Sequence, residues 1–211
     1  MEAMKGAIFD LDGVLVDTAK YHYLAWKKLA DQLGIDFTEA DNEQLKGVSR
    51  VRSLEILLEL GGIEKDELEQ SRLRELKNNW YLAFIKDMTE KELLAGAKEY
   101  LLQLREEGVK ISLGSASKNA ISILKSLNIY ELFDEIIDGT KVANAKPDPE
   151  VFLKAAEGLG LKPNECVVFE DAQAGVQAGK SAGMYVVGIG TKENLPEADE
   201  VVAGLYQLVK S

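Results

Sequence analysis

Apolar positions along this chain follow two different periods, and the change of period divides it. Gly6-Ala7-Ile8-Phe9 is a short apolar run halted by Asp10, Asp12 and Gly13, the pattern of a buried strand that stops at a sheet edge. From there to about residue 84 no strand-like run occurs. Amphipathic stretches take its place over residues 21–33, ended by Gly34, over 51–60, ended by Gly61-Gly62, and over 65–84; their spacing predicts helices. Beyond residue 85 the grammar is alternation. Helices are predicted over 97–107, 119–127, 149–158 and 172–182, and strands over 110–113, 135–137, 166–169 and 185–189. A short strand around Val201 and a last helix over 205–210 follow. Strands alternating with helices of about ten to fifteen residues predict βαβ units and a parallel sheet.

The expected architecture is therefore α/β: a Rossmann-like parallel-sheet core built from residues 1–16 and 86–211, interrupted after its first strand by an all-helical domain of residues 17–85. The charges between Glu64 and Lys77 read as a solvated helix face. With 46% hydrophobic against 29% charged residues in 211, the chain can bury a proper core, which excludes collagen, coiled-coil and disordered classes. Twenty-five Lys+Arg against 36 Asp+Glu leave a net charge of -11. That field repels nucleic-acid phosphates and anionic lipid headgroups, so neither nucleic acid nor membrane is an expected partner. Cys166 is the single cysteine and His22 the single histidine, which excludes an intrachain disulfide, a Cys/His zinc site and any Ser-His-Asp triad without His22. No apolar stretch approaches the roughly 20 residues of a membrane span, and Met1-Glu2-Ala3-Met4-Lys5 lacks a signal peptide's apolar region. The expected compartment is the cytoplasm.

In an open α/β sheet, ligands bind outside the carboxyl ends of the strands. The first strand delivers Asp10 and Asp12 there, the second Ser115 and Ser117, and the fourth Glu170 and Asp171. Lys146 falls in the loop after the third, before Pro147, which disfavours helix at the preceding residue. Carboxylates crowded on one rim push each other's pKa upward unless a cation lies among them. Ligands that are all oxygen favour Mg²⁺ over zinc or copper. Within a strand, adjacent Glu170 and Asp171 would face opposite sides, so at least one lies past the strand end.

A carboxylate, Mg²⁺, a lysine and hydroxyl donors make a phosphoryl-transfer set, in which the cations offset the phosphate's charge and let a carboxylate attack phosphorus, forming an aspartyl-phosphate. Asp10 and Asp12, two apart, share a side in extended chain, so one can attack while the other moves a proton. Taken alone, the pair reads equally well as an Asp-rich turn before Gly13.

Four ordered pieces decide between these. Phe9-Asp10-Leu11-Asp12-Gly13-Val14-Leu15-Val16-Asp17-Thr18, then Ser115, Lys146-Pro147 and Glu170-Asp171, resemble in turn the four motifs of the haloacid dehalogenase-like phosphotransferase superfamily. The helical insert is similar to the small cap of the subgroup whose cap closes over the active site. Within the superfamily the chain looks most like the mutases that interconvert β-glucose 1-phosphate and glucose 6-phosphate. Similar pieces are Thr18, His22 and Trp26 in the first cap helix, Lys46-Gly47-Val48-Ser49-Arg50 with Ser53, Lys77-Asn78, and Ser115-Ala116-Ser117-Lys118-Asn119.

That resemblance implies Asp10 as nucleophile, Asp12 as acid and base, and Lys146 as the charge-offsetting cation beside Ser115. It implies a Mg²⁺ site from Asp10, Glu170, Asp171 and the backbone carbonyl of Asp12. Arg50 would bind the phosphate distal to the reacting one, and Ser115 through Asn119 one of the two phosphates. Departures are mild: Val51 follows Arg50 where an acidic residue is common in relatives, and Asp148 follows Pro147.

A mutase that moves phosphate between two ends of a hexose needs two phosphate sites. The 46–50 loop meets that demand physically: Gly47 allows close backbone approach, Ser49 donates, and Arg50 grips bidentately. The bland reading of the loop is a solvated turn. His22, ten residues after Asp12, is otherwise a structural histidine. Trp26, one turn on, is more often core than sugar platform, and Lys77 is ordinarily a charge on a solvated face. The expected partner is a small-molecule hexose phosphate, and the expected state of the protein is a monomer. A phosphatase of sugar phosphates or phosphoglycolate would share every core residue with water as acceptor, and a non-catalytic sugar-phosphate module would share the fold.

Overall fold

In the computed structural model, residues 4–45 and 48–210 are described, which leaves Lys46 and Gly47 of the expected phosphate loop outside the described residues. Six strands form one parallel sheet: β1 (Gly6–Phe9), β2 (Lys110–Gly114), β3 (Glu135–Ile137), β4 (Cys166–Glu170), β5 (Tyr185–Ile189) and β6 (Glu200–Val202), in the order β3-β2-β1-β4-β5-β6. Ile8 lies opposite Ser112 on one side and Val168 on the other, and Phe9 opposite Leu113 and Phe169. The carboxyl ends of β2, β1 and β4 therefore finish level, with Asp10 between the other two.

Flanking helices α5 (Ala97–Glu106), α6 (Ala120–Ser126), α7 (Glu150–Leu159) and α8 (Gln173–Ser181) complete the unit. Their apolar stripes explain the continuous apolar strands, since a parallel sheet is covered on both faces. Ile8, Phe152, Ala155, Val168 and Val186 share one fully buried cluster, and Phe9 stacks on Phe169 with ring centroids 4.6 Å apart.

Contacts divide the chain into two compact units, residues up to 17 together with those from 88 onward, and Thr18–Asp87. The second holds α1 (Ala19–Leu33), α2 (Glu39–Glu43), α3 (Arg50–Gly61) and α4 (Glu67–Ile85). Trp26, Leu29, Ala30, Phe37, Leu54, Leu57 and Leu58 form its core. Gly34 ends α1 in the left-handed conformation, φ 70°, with its N–H on the Ala30 and Asp31 carbonyls, a backbone state that favours glycine.

Two elements differ from the sequence pattern. Helix α2 was not expected, because five residues are too few to show a period; a reciprocal cap makes it, with Thr38 Oγ1 accepting from Asp41 N–H and Asp41 Oδ2 accepting from Thr38 N–H. The expected helix over 205–210 shrinks to a single 3₁₀ turn, Leu205–Gln207. There the chain is drawn aside: Gln207 Oε1 accepts from Ala203 N–H at 2.8 Å, and Lys210 N–H donates to Gln103 on α5 at 2.7 Å. Among the described residues no helix is long and apolar enough to cross a membrane.

Candidate active site

Because β1 lies between β2 and β4, one residue past its end is flanked by both. The Asp10 N–H donates to Phe169 O at 3.0 Å, continuing the ladder, while its side chain meets Lys146. Lys146 Nζ donates to Asp10 Oδ1 at 2.9 Å, to Glu170 Oε1 at 3.0 Å and to the Gly114 carbonyl at 3.0 Å, and so ties the ends of β1, β2 and β4 to one ammonium. Burial works against the Lys146 charge, but Asp10 and Glu170 outweigh it and hold its pKa above the ordinary lysine value.

Glu170 is the last residue of β4 and Asp171 the first beyond it, as two adjacent side chains turning to one side require. Asp10, Glu170 and Asp171 bring carboxylate oxygens within 4.8 Å of one another. Burial, and then the neighbouring carboxylates, push Glu170 and Asp171 well above the usual carboxylate range. Three carboxylates share one ammonium, so full ionisation leaves two negative charges uncompensated. An all-oxygen donor set with that deficit fits a hard divalent cation.

Asp12 lies on the turn that follows β1, where Gly13 N–H donates to Val16 O at 2.8 Å; its carboxylate is outside the three-membered group. Gly13 has φ 78°, and a Cβ there would fall 1.9 Å from Asp171 Oδ2.

At the end of β2, the buried Ser115 accepts at Oγ from Ser117 N–H, 3.1 Å, and Ser117 Oγ accepts from Asn119 N–H, 3.2 Å. Asn119 stands at the start of α6, and Ala116 and Lys118 are exposed. A hydroxyl that accepts one hydrogen bond keeps its proton to donate, so Ser115 remains a donor toward a phosphate oxygen.

The helical unit has a polar cluster of its own. Thr18 is buried before α1, its carbonyl accepting from the N–H groups of Tyr21 and His22 at 3.0 Å. His22 stacks on Tyr81 with centroids 4.1 Å apart, and its Nδ1 lies 2.9 Å from Lys77 Nζ. Lys77, only 2% exposed, is no solvated charge: its ammonium sits 4.6 Å over the Trp26 ring and 4.9 Å over Tyr81. Burial, then Lys77 and Arg50, hold the His22 pKa well below its ordinary value; the ring is neutral and accepts from the ammonium. Trp26 belongs to the unit's apolar core.

Arg50 opens α3, and burial lowers its pKa. Ser49 Oγ caps α3 by accepting from Arg52 N–H at 3.2 Å, Val48 is exposed, and the buried Ser53 donates its N–H to Ser49 O.

Three residues escaped the sequence reading. Tyr81 follows Lys77 by four residues, a spacing that could have flagged it. The Gly114 carbonyl had no sequence signal. Glu150, at the start of α7, accepts from Ala143 N–H at 3.0 Å and Asn144 N–H at 2.7 Å, tying down the loop that carries Lys146. An ion pair with Lys154 and these backbone donors lower its pKa to about 2.

The model of the haloacid dehalogenase-like hydrolase family matches residues 4–183. The chain is 47% identical over 201 residues to a β-phosphoglucomutase of Bacillus subtilis strain 168, covering 94% of this chain and 89% of the relative. It is 34% identical over 212 residues to a phosphorylated carbohydrates phosphatase of Thermotoga maritima, covering 98% and 94%. Its fold is similar to the crystal structure of β-phosphoglucomutase from Clostridium difficile, with a TM-score of 0.92 at 46% identity across 97% of this chain and 93% of that one.

Proposed function

This chain belongs to the haloacid dehalogenase-like hydrolase family, and from that premise we propose that it is a Mg²⁺-dependent mutase interconverting β-D-glucose 1-phosphate and D-glucose 6-phosphate through an aspartyl-phosphate and a glucose 1,6-bisphosphate. The observation that carries the choice of reaction is the 47% identity, across 94% of this chain, to a relative named for it. The phosphatase relative stands at 34%.

Asp10, Glu170, Asp171 and the backbone carbonyl of Asp12 would hold the metal. Bound there, Mg²⁺ supplies positive charge that lets an anionic carboxylate approach an anionic phosphoryl group. Lys146 adds to that effect and aims the Asp10 carboxylate, whose Oδ1 it grips. An Asp10 oxygen forms the new bond to phosphorus as the bond from phosphorus to the sugar oxygen breaks, and Asp12 gives that oxygen a proton. In the complementary step Asp12 takes the proton from the free hydroxyl of a hexose monophosphate, which attacks the aspartyl-phosphate and frees Asp10, giving the 1,6-bisphosphate; this reorients and returns its other phosphoryl group to Asp10. Ser115 and the turn to Asn119 donate to phosphoryl oxygens.

In the helical unit, Arg50 is the group suited to a second phosphate, and Thr18, His22, Trp26, Ser49, Ser53 and Lys77, with Lys46, Gly47 and Val48 of the same sequence motif, would bind the hexose. The protein works on hexose phosphates in the cytoplasm as a monomer.

Phosphorus NMR tests the reading directly. With β-glucose 1-phosphate, Mg²⁺ and a trace of the 1,6-bisphosphate, glucose 6-phosphate should accumulate; inorganic phosphate as the main product would make the enzyme a phosphatase.

A further inference from the structure

Helix interiors favour alanine over glycine, yet the third residue of α8 is Gly175, between Ala174 and Val176. Its φ is not positive, so its backbone does not demand glycine. A methyl group built there would lie 2.0 Å from Glu170 Cδ and 2.2 Å from each carboxylate oxygen. The Glu170 carboxylate fills the place where a side chain at 175 would be.

That seat is tightly held. Oε1 accepts from Lys146 Nζ at 3.0 Å, Oε2 accepts from Ala172 N–H at 3.2 Å, and the group is 1% exposed. Moving the carboxylate would disturb its bonds to Lys146 and Ala172. Gly13 has a similar relation to Asp171, but its positive φ gives it a second reason to be glycine. Gly179, one turn along α8, meets only the side chains of Val186 and Val168, which is ordinary packing.

We infer that Gly175 is a positioning residue for the metal site: its missing side chain lets α8 close on Glu170 and lock that carboxylate onto Lys146 and the Ala172 N–H, within reach of Asp10 and Asp171. The inference rests on the metal reading of these carboxylates and not on which phosphate ester is turned over.

The test uses the metal-free full-length protein and Mg²⁺ alone. By isothermal titration, Gly175→Ala should weaken Mg²⁺ binding by about ten- to a hundredfold, the usual cost of losing a partner that orients a ligand, and should lower the melting temperature. In the Glu170→Ala background the obstructing carboxylate is gone. There, adding Gly175→Ala should leave Mg²⁺ affinity within about twofold and raise the melting temperature, as helix preference alone dictates.

A parent-like Mg²⁺ affinity in Gly175→Ala, or an equal loss in the Glu170→Ala background, overturns the inference. If Gly175→Ala alone is insoluble, a soluble Glu170→Ala/Gly175→Ala pair supports it and an insoluble pair overturns it. Failure of the unaltered protein to bind Mg²⁺ would overturn the metal reading and this inference with it, while the NMR product assay reports on the reaction separately.

Discussion

Replacing Lys146 by methionine keeps an apolar stem but removes the ammonium, with its charge, its three hydrogen bonds and its approach to Phe152, whose ring centroid lies 4.9 Å from Nζ. Each ion pair, at 2.9 and 3.0 Å, is worth about 5–6 kcal/mol of gross attraction at an effective dielectric near 20. Much of that is offset by the cost of burying the ammonium. What remains on removing one partner of a buried pair is typically ~3–5 kcal/mol, because the other partners stay behind unpaired. For a chain of this size, about 2–4 °C of melting temperature per kcal/mol converts this to a loss of roughly 6–20 °C, read by circular dichroism in EDTA. With saturating Mg²⁺ the deficit should narrow, since an ion held by the same carboxylates would bind more tightly once the competing ammonium is absent. Turnover should fall by about 10²–10³-fold, as when one preorganised charge donor is removed. A loss below ~1 kcal/mol in EDTA, or a deficit of the same size with and without Mg²⁺, would refute the claim that Lys146 neutralises this carboxylate group.

Asp10→Asn should remove the nucleophile and with it the phosphoenzyme detectable by mass spectrometry, cutting turnover by about 10⁴-fold or more; an unchanged phosphoenzyme signal would exclude Asp10 as the acceptor. Glu150→Gln should lower kcat by about tenfold, short of the ~10²-fold that a 1 Å misplacement costs, with little change in melting temperature because the residue is not deeply buried; unaltered kcat would show that the Lys146 loop does not depend on it. His22 is held neutral in the fold, whereas the unfolded chain takes up a proton as pH falls through its ordinary value of 6.5. Stability is therefore lost from pH 6.5 downward to the depressed folded value. His22→Asn should flatten that slope in melting temperature between pH 6.5 and about 5, and an identical slope would assign the acid sensitivity elsewhere.

Where a residue's placement follows from strand ends, it was legible in the chain. Asp10, Glu170 and Lys146 terminate or follow apolar runs, and the parity of adjacent side chains already required Asp171 to lie past its strand. What escaped was geometry without a period. Nothing in the pattern marks the Gly114 carbonyl as a lysine acceptor, since a backbone oxygen leaves no signature. For Lys77 the Lys77-Asn78 resemblance pointed to a substrate role, while its polar neighbours Glu75 and Asn78 hid its burial; the packing of α1 on α4 brings the Trp26 ring beside it, and Tyr81 one turn along α4 adds the second. Helix α2 was hidden by its shortness, although Thr38 and Asp41 carried a legible capping pair. The terminal helix was overestimated for the opposite reason, an apolar spacing that side-chain bonds from Gln103 and Gln207 override.

The strand order has a bearing on how the molecule is made. The first strand of the sheet in chain order, β1, is central, yet its partners β2 and β4 begin at Lys110 and Cys166. Thr18–Asp87 is by contrast one uninterrupted stretch. During synthesis that stretch can condense first, while Gly6–Phe9 and Asp10 beside it wait about a hundred residues for β2 and still longer for β4. A nascent apolar segment held open for so long is a natural client for a chaperone.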